Sequence, residues 1–78
     1  MTRERRFYIA HRIINYINDS ENPRQFMPHE VSMFIADCAR DLELGDVGEY
    51  EHRLRDEWSN TGDEEALELI ELLREAKR

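Results

Sequence analysis

The segment 28–44 constrains the fold most, because it carries both a complete apolar face and recognisable helix ends. Pro28 fits the first turn of a helix, where its missing N–H is not needed, and Gly45 fits the position just past the last turn. The apolar residues between them recur at helical spacing and fall on one side: Val31, Phe34, Ile35, Cys38, Ala39 and Leu42. The segment therefore predicts an amphipathic helix whose apolar side the rest of the chain must cover.

Three further segments are periodic in the same way, and none shows the period-two alternation typical of strands. In the first, 3–18, apolar residues fill about half of the helical circumference, which is wider than one neighbouring helix covers. A second copy of the chain is one way to cover the remainder. We predict an all-α fold, a single domain spanning 1–78 in which four short helices, roughly 3–18, 28–44, 46–59 and 63–77, form a compact bundle. The alternative is a three-helix core with the third helix peripheral, because its apolar stripe is only about 80° wide.

The connections between the helices carry three local expectations. Phe26 and Met27 are too apolar for a free loop, so both are expected to pack beneath the start of the second helix. Asp46 is the expected N-terminal cap of the third helix. For the last helix, Thr61 and Asp63 are alternative caps.

The size of the chain and its one cysteine limit how it is stabilised and where it is found. The core that a chain of 78 residues can form leaves a thin stability margin, and Cys38 alone allows no intrachain disulfide. Cys38 is expected to be a small core residue, as free cysteines usually are. No apolar run approaches the roughly 20 residues that span a bilayer, and the N-terminal segment lacks a signal-peptide cleavage site. We expect a cytoplasmic protein.

The formal net charge of −7 is distributed unevenly along the chain. Residues 1–40 carry six arginines against five acids, whereas residues 41–78 carry 13 acids against five basic residues. Such a chain is a poor candidate for binding nucleic acid or an anionic membrane directly. It is a better candidate for binding a basic partner.

The last predicted helix carries a row of carboxylates that we call the acidic ridge. Its members lie within about 60° of one another on a helical wheel. They are Glu64, Glu68, Glu71 and Glu75, with Glu65 nearby. The two like-charge pairs four residues apart each destabilise the helix by about 0.2–0.5 kcal/mol. Three interpretations are open: a surface that meets a basic partner and imitates a row of phosphates, an ordinary solvated face, or an internal contact with Arg3, Arg5 and Arg6.

Motifs for catalysis and metal binding are not found in the sequence. His52 and Asp56 have a spacing that allows two side chains to share a metal, but no HExxH motif or Cys/His cluster accompanies them. There is also no glycine-rich phosphate loop, no nucleophile elbow and no local cysteine–base motif. A DNA-binding helix-turn-helix over 31–59 is disfavoured because Asp41 occupies a position that needs a small residue. We expect no catalytic residue, no metal and no cofactor.

These observations favour a small, acidic, non-enzymatic regulator or inhibitor that binds another protein. Its acidic ridge would occlude a basic surface, such as one that binds nucleic acid, through Glu64, Glu65, Glu68, Glu71 and Glu75. By analogy of size and composition alone, compact acidic proteins are common among phage-encoded inhibitors of host defence, including inhibitors of CRISPR complexes. The first alternative is a structural or assembly homodimer with the first helix as its interface. The second is a metal-dependent helical enzyme.

Overall fold

α-Helices make up almost all of the structure, a computed structural model that describes residues 1–20 and 25–76. In chain order the helices are α1 (Arg3–Ser20), α2 (Pro28–Leu44), α3 (Gly48–Thr61) and α4 (Glu64–Ala76). The described residues contain no strand. The predicted all-α fold with four helices is therefore confirmed. Residue 77, the predicted end of the last helix, lies outside the described residues.

Helix α2 begins and ends where its local signals predict. Pro28 is its first residue, and the backbone N–H of Met27 donates to the Glu30 carboxylate at 3.0 Å. At the other end Gly45 has φ 78°, in the left-handed region that favours glycine. The N–H of Gly45 donates to the carbonyl of Leu42 at 3.3 Å. Both ends are thus fixed by residues adjacent in the sequence.

Helix α3 begins later and ends later than predicted. Asp46 does not cap it but lies one residue before the cap position, where the Asp46 N–H donates to the Asp41 carbonyl at 2.9 Å and completes the end of α2. Val47 takes the cap position without a side-chain hydrogen bond, and its side chain is buried. At the other end the Thr61 hydroxyl donates to the Glu57 carbonyl at 2.8 Å, which extends the helix to Thr61. The turn between α2 and α3 is therefore held by the core and by the end of α2.

Asp63 caps α4, as one of the two predicted alternatives. Its Oδ1 accepts the backbone N–H of Glu65 at 3.0 Å. Thr61 is instead the last residue of α3, and its Oγ1 accepts the Asp63 N–H at 3.2 Å. Gly62, with φ 69°, makes the turn between the two helices.

Helix α1 provides the centre of the core. It packs against both α2 and α4, which together cover its wide apolar face. Its buried residues are Ile9, Ala10, Ile13, Ile14, Tyr16, Ile17 and Asn18. The width of this face predicted contact with two elements, from this chain or from a second copy, and α2 and α4 are two such elements within the chain. Helix α3 packs mainly on α4, and Leu54 is its one buried residue, in keeping with its narrow stripe.

The residues before α2 pack only in part as expected. The Phe26 ring contacts Phe34, with ring centroids 4.8 Å apart, and the Phe26 N–H donates to Asn18 Oδ1 at 3.1 Å. Met27 remains 57% exposed, so the expectation that it packs is wrong. Met27 directly precedes Pro28, the first residue of α2, and its backbone N–H donates to the Glu30 carboxylate.

Cys38 is a core residue, as predicted, and is 0% exposed. Burial raises the pKa of its thiol to about 12, so the thiol is protonated at neutral pH. Among the described residues, no helix has both the length and the apolar character needed to cross a bilayer.

Candidate functional site

The acidic ridge lies on the surface of α4, beside α1. All five of its predicted residues are exposed; Glu68, for example, retains 57% of its side-chain accessibility. The buried side of α4 consists of Ala66, Leu69, Ile70 and Leu73. Because this apolar side anchors α4 on the core, the carboxylates are presented on a rigid helix.

Two ridge carboxylates pair with arginines of α1. Arg12 Nη1 lies 2.8 Å from Glu68 Oε1, and Arg5 Nη2 lies 3.1 Å from Glu75 Oε2. The two arginines are seven residues apart, as are the two glutamates, which corresponds to about 10.5 Å along each helix. The helices therefore run antiparallel with matched spacing, and each pair reinforces the other.

The internal interpretation of the ridge is thus correct for one of the three arginines it named. Arg5 reaches the ridge, whereas Arg3 and Arg6 lie on the other side of α1 beside α2. Arg12 was missed. The signal that identifies it is the equal seven-residue spacing of Arg5–Arg12 and Glu68–Glu75, which becomes informative once α1 and α4 are known to be neighbours.

Tyr8 fills the space between the two paired arginines. The Arg5 guanidinium lies 5.2 Å from the centroid of the Tyr8 ring, and that of Arg12 lies 5.9 Å away. Each such cation–π contact contributes about 0.5–1 kcal/mol at an exposed site. The partly exposed Tyr8 therefore helps to hold Arg5 and Arg12 in position for the ridge.

Pairing divides the ridge into two parts. The hydrogen bond from Arg12 lowers the pKa of Glu68, and the same bond raises the pKa of Arg12. Glu65 lies 3.8 Å from the same guanidinium. Within the described part of the chain, neither Glu64 nor Glu71 makes an ion pair or a side-chain hydrogen bond. The free charge of the ridge is therefore concentrated at Glu64 and Glu71.

A polar groove of about 580 Å³ adjoins the start of the ridge. Side chains of α1, α3 and the cap of α4 line it, among them Tyr16, Glu57, Asp63 and Glu65. The Tyr16 hydroxyl donates to Asp63 Oδ2 at 2.8 Å, and burial together with this bond raises the pKa of Tyr16. Since Asp63 also caps α4, its carboxylate connects the start of the ridge to α1.

The polar side chains outside the ridge, in residues 1–20 and 25–76, form short contacts but no metal-binding cluster. No group of three or more His, Cys, Asp or Glu residues there has the arrangement to hold a metal ion. His52 Nε2 lies 3.5 Å from Asp56 Oδ2, and both side chains are well exposed. In the core, the Tyr50 hydroxyl donates to Asp41 Oδ2 at 2.7 Å, next to the buried Cys38. Tyr50 also forms a side-chain hydrogen bond with Cys38, so it links Asp41 to the core.

Comparison with known proteins identifies no relative of this chain. No protein family, curated protein or solved structure matches the chain. Function is therefore inferred from the side chains that the fold exposes and pairs.

Proposed function

We propose that this protein is a small, non-enzymatic binding protein whose acidic ridge docks on a basic surface of another protein and occludes it. The carrying observation is that Glu64 and Glu71 lie exposed on one side of α4 with no partner among the described residues. Their seven-residue separation places them about 10.5 Å apart on a rigid helix. A basic surface with two suitably spaced cations is therefore their complement.

The paired carboxylates have a supporting role in this proposal. Glu68 and Glu75 pair with α1 while the buried side of α4 anchors it on the core, so the helix is ordered before a partner arrives and little conformational entropy is lost on binding. Exposed ion pairs contribute about 0–1 kcal/mol, so a partner arginine can replace Arg12 at Glu68 at little cost. Glu65, at 3.8 Å from Arg12, is equally open to exchange.

The spacing of the ridge indicates what kind of basic surface it fits. Its four carboxylates follow one another at roughly 5 Å along the helix, from the rise of 1.5 Å per residue. Along the axis of a DNA duplex, each strand carries one phosphate charge per about 3.4 Å, so the ridge has a lower charge density than DNA. The proposed target is therefore a few arginine or lysine side chains of a nucleic-acid-binding surface, rather than the whole length of a basic channel that binds a phosphate backbone.

Charge reversal with a matched control tests the proposal. The ridge variant carries Glu64→Lys and Glu71→Lys, and the control carries Asp46→Lys and Glu49→Lys, so both change the net charge from −7 to −3. The tagged proteins are used to capture partners from a native lysate at low salt. Wild type and control should retain the same partner, whereas the ridge variant should bind it at least about tenfold more weakly, a loss of about 1.4 kcal/mol.

Two further measurements on the captured partner sharpen this test. Affinity should fall steeply with ionic strength, and duplex DNA should release the partner if the occluded surface binds nucleic acid. A partner that the ridge variant retains at full affinity would contradict the proposal. A partner that salt does not release would do the same.

A further inference from the structure

A second charged surface lies on the opposite side of α1 from the ridge contacts. Here the start of α1 and the side of α2 enclose a groove of about 380 Å³ that we call the arginine groove. Its lining includes Arg3, Arg6, Phe7, Ala36, Arg40 and Glu43. At 100° per residue, the α1 residues of this lining point about 180° away from Arg5, Tyr8 and Arg12. The two surfaces are thus separate.

The arginine groove is basic on a protein that is acidic overall. Its three arginines face one carboxylate, Glu43, which leaves the lining a net charge of +2. Arg3 makes no ion pair within the described part of the chain. Arg6 Nη1 donates to the Met1 carbonyl at 3.0 Å, which positions the guanidinium without neutralising it. Arg40 Nη2 lies 3.9 Å from Asp37 Oδ1, a long distance for an ion pair.

Helix stability does not explain these arginines. Arg3 and Arg6 lie in the first turn of α1, where the helix dipole disfavours positive charge by about 0.3–1 kcal/mol per residue. Arg5, in the same turn, gains Glu75 in compensation. Arg3 and Arg6 gain no carboxylate of this kind from the residues that the structure describes. The two guanidinium groups therefore have no carboxylate partner among the described residues.

We propose that the arginine groove binds a phosphate monoester carried on a flat ring, that is, a small ligand of the nucleoside monophosphate class. The planar guanidinium fork matches phosphate oxygens, and a phosphate monoester carries about −1.5 to −2 charge at pH 7, which balances the lining. The Phe7 ring is 38% exposed, which leaves part of it open to stack on a flat ring, and the Arg3 guanidinium lies 5.5 Å from its centroid, beside that surface. Alanine at 36 and 39 leaves space beside it.

The overall charge favours a small ligand over a long polyanion. Residues 41–78 carry 13 acids against five basic residues, and a nucleic acid strand would pass within range of them. A monophosphate seated in the groove senses charges only within about 8 Å at physiological ionic strength. A volume of about 380 Å³ also lies within the range of about 300–1,000 Å³ typical of small-molecule sites.

Calorimetric titration of the full-length protein with three probes tests the proposal. The probes are inorganic phosphate, adenosine monophosphate and adenosine. The expected result is saturable binding of adenosine monophosphate with one site, weaker binding of phosphate, and none of adenosine. One stacked base strengthens binding by about 1–3 kcal/mol, so adenosine monophosphate should bind at least about fivefold more tightly than phosphate. Equal affinities, or no saturable binding at millimolar concentrations, would overturn the proposal.

Three variants locate the site. Arg3→Gln should weaken adenosine monophosphate binding by about tenfold, the loss of one charge-assisted hydrogen bond. Arg5→Gln is the matched control, because it removes the same charge from the same turn but faces Glu75. Phe7→Leu should reduce adenosine monophosphate to the affinity of phosphate and leave phosphate unchanged. Circular dichroism confirms that each variant folds. Equal losses in Arg3→Gln and Arg5→Gln would show that only net charge matters and would refute the site.

Discussion

The Asp63 carboxylate carries two separate stabilising bonds, and its removal should be costly for an exposed residue. One oxygen caps α4 at 3.0 Å from the Glu65 N–H, and the other accepts the Tyr16 hydroxyl at 2.8 Å. Losing a cap costs about 1 kcal/mol. Losing a hydrogen bond to a charged group costs about 1.5–3 kcal/mol, and we take the lower end because the pair is only partly buried. Asp63→Ala should therefore destabilise the protein by about 2–3 kcal/mol.

Thermal and urea unfolding, followed by circular dichroism, measure this loss. For a domain of this size, 2–3 kcal/mol corresponds to a fall of about 10–20 °C in Tm. Asp63→Asn keeps one oxygen that can cap α4, and its NH2 group can donate to the Tyr16 hydroxyl oxygen in place of the lost acceptor, so it should lose about 1 kcal/mol. Tyr16→Phe should lose about 1–1.5 kcal/mol, because it removes the same hydrogen bond and keeps the buried ring.

A double-mutant cycle decides whether the bond exists in solution. If the Tyr16–Asp63 bond is formed, the double variant Tyr16→Phe/Asp63→Ala should be less destabilised than the sum of the single variants, by about 1 kcal/mol. Strict additivity would refute the bond. An Asp63→Ala variant as stable as wild type would refute both contacts.

Four further predictions concern pH, salt and backbone conformation. The pKa of Cys38 is raised from 9.0 to about 12, so stability should fall with rising pH from about pH 9, as unfolded thiols ionise first, and Cys38→Ala should flatten urea midpoints measured across pH 9–12. The lowered pKa of Glu68 has the opposite sign: its contribution is complete above its ordinary pKa of 4.5 and is lost on acidification, so Glu68→Gln should reduce the acid sensitivity of Tm. The Arg12→Gln variant should show a smaller loss of Tm with added salt than wild type does, because the screened pair is already gone. Gly45→Ala should cost about 1–2 kcal/mol in urea unfolding, since alanine is strained at φ 78°, and an unchanged midpoint would contradict the left-handed cap.

The helices could be predicted from the sequence because their signals are local or periodic. Pro28 and Gly45 act on the backbone next to them, so the bounds of α2 follow without knowledge of any other helix. The start of α3 could not be found in this way. The Asp46 side chain is a good cap by type, but its backbone N–H is used by the end of α2, and the buried Val47 sets where the next helix begins.

The charged surfaces were predictable as sets of residues but not as pairs. The sequence places the ridge glutamates on one side of α4, yet only the packing of α1 on α4 shows that Glu68 and Glu75 are engaged. The same packing separates Arg5 from Arg3 and Arg6, which adjoin it in sequence. Which side of α1 meets which neighbour depends on the whole core.

The matched spacing of the α1–α4 ion pairs has a consequence for helix register. Glu64 and Glu71 repeat the seven-residue interval of Glu68 and Glu75, so sliding α4 by four residues, about 6 Å, would form an equivalent set of pairs with Arg5 and Arg12. The ion pairs are therefore degenerate, and the fully buried Leu69 and Leu73 select the observed register. Glu64 and Glu71 thus remain on the surface as a second pair of carboxylates with the same seven-residue spacing. On the proposed function, a partner helix with arginines seven residues apart would pair with Glu64 and Glu71 as α1 pairs with Glu68 and Glu75.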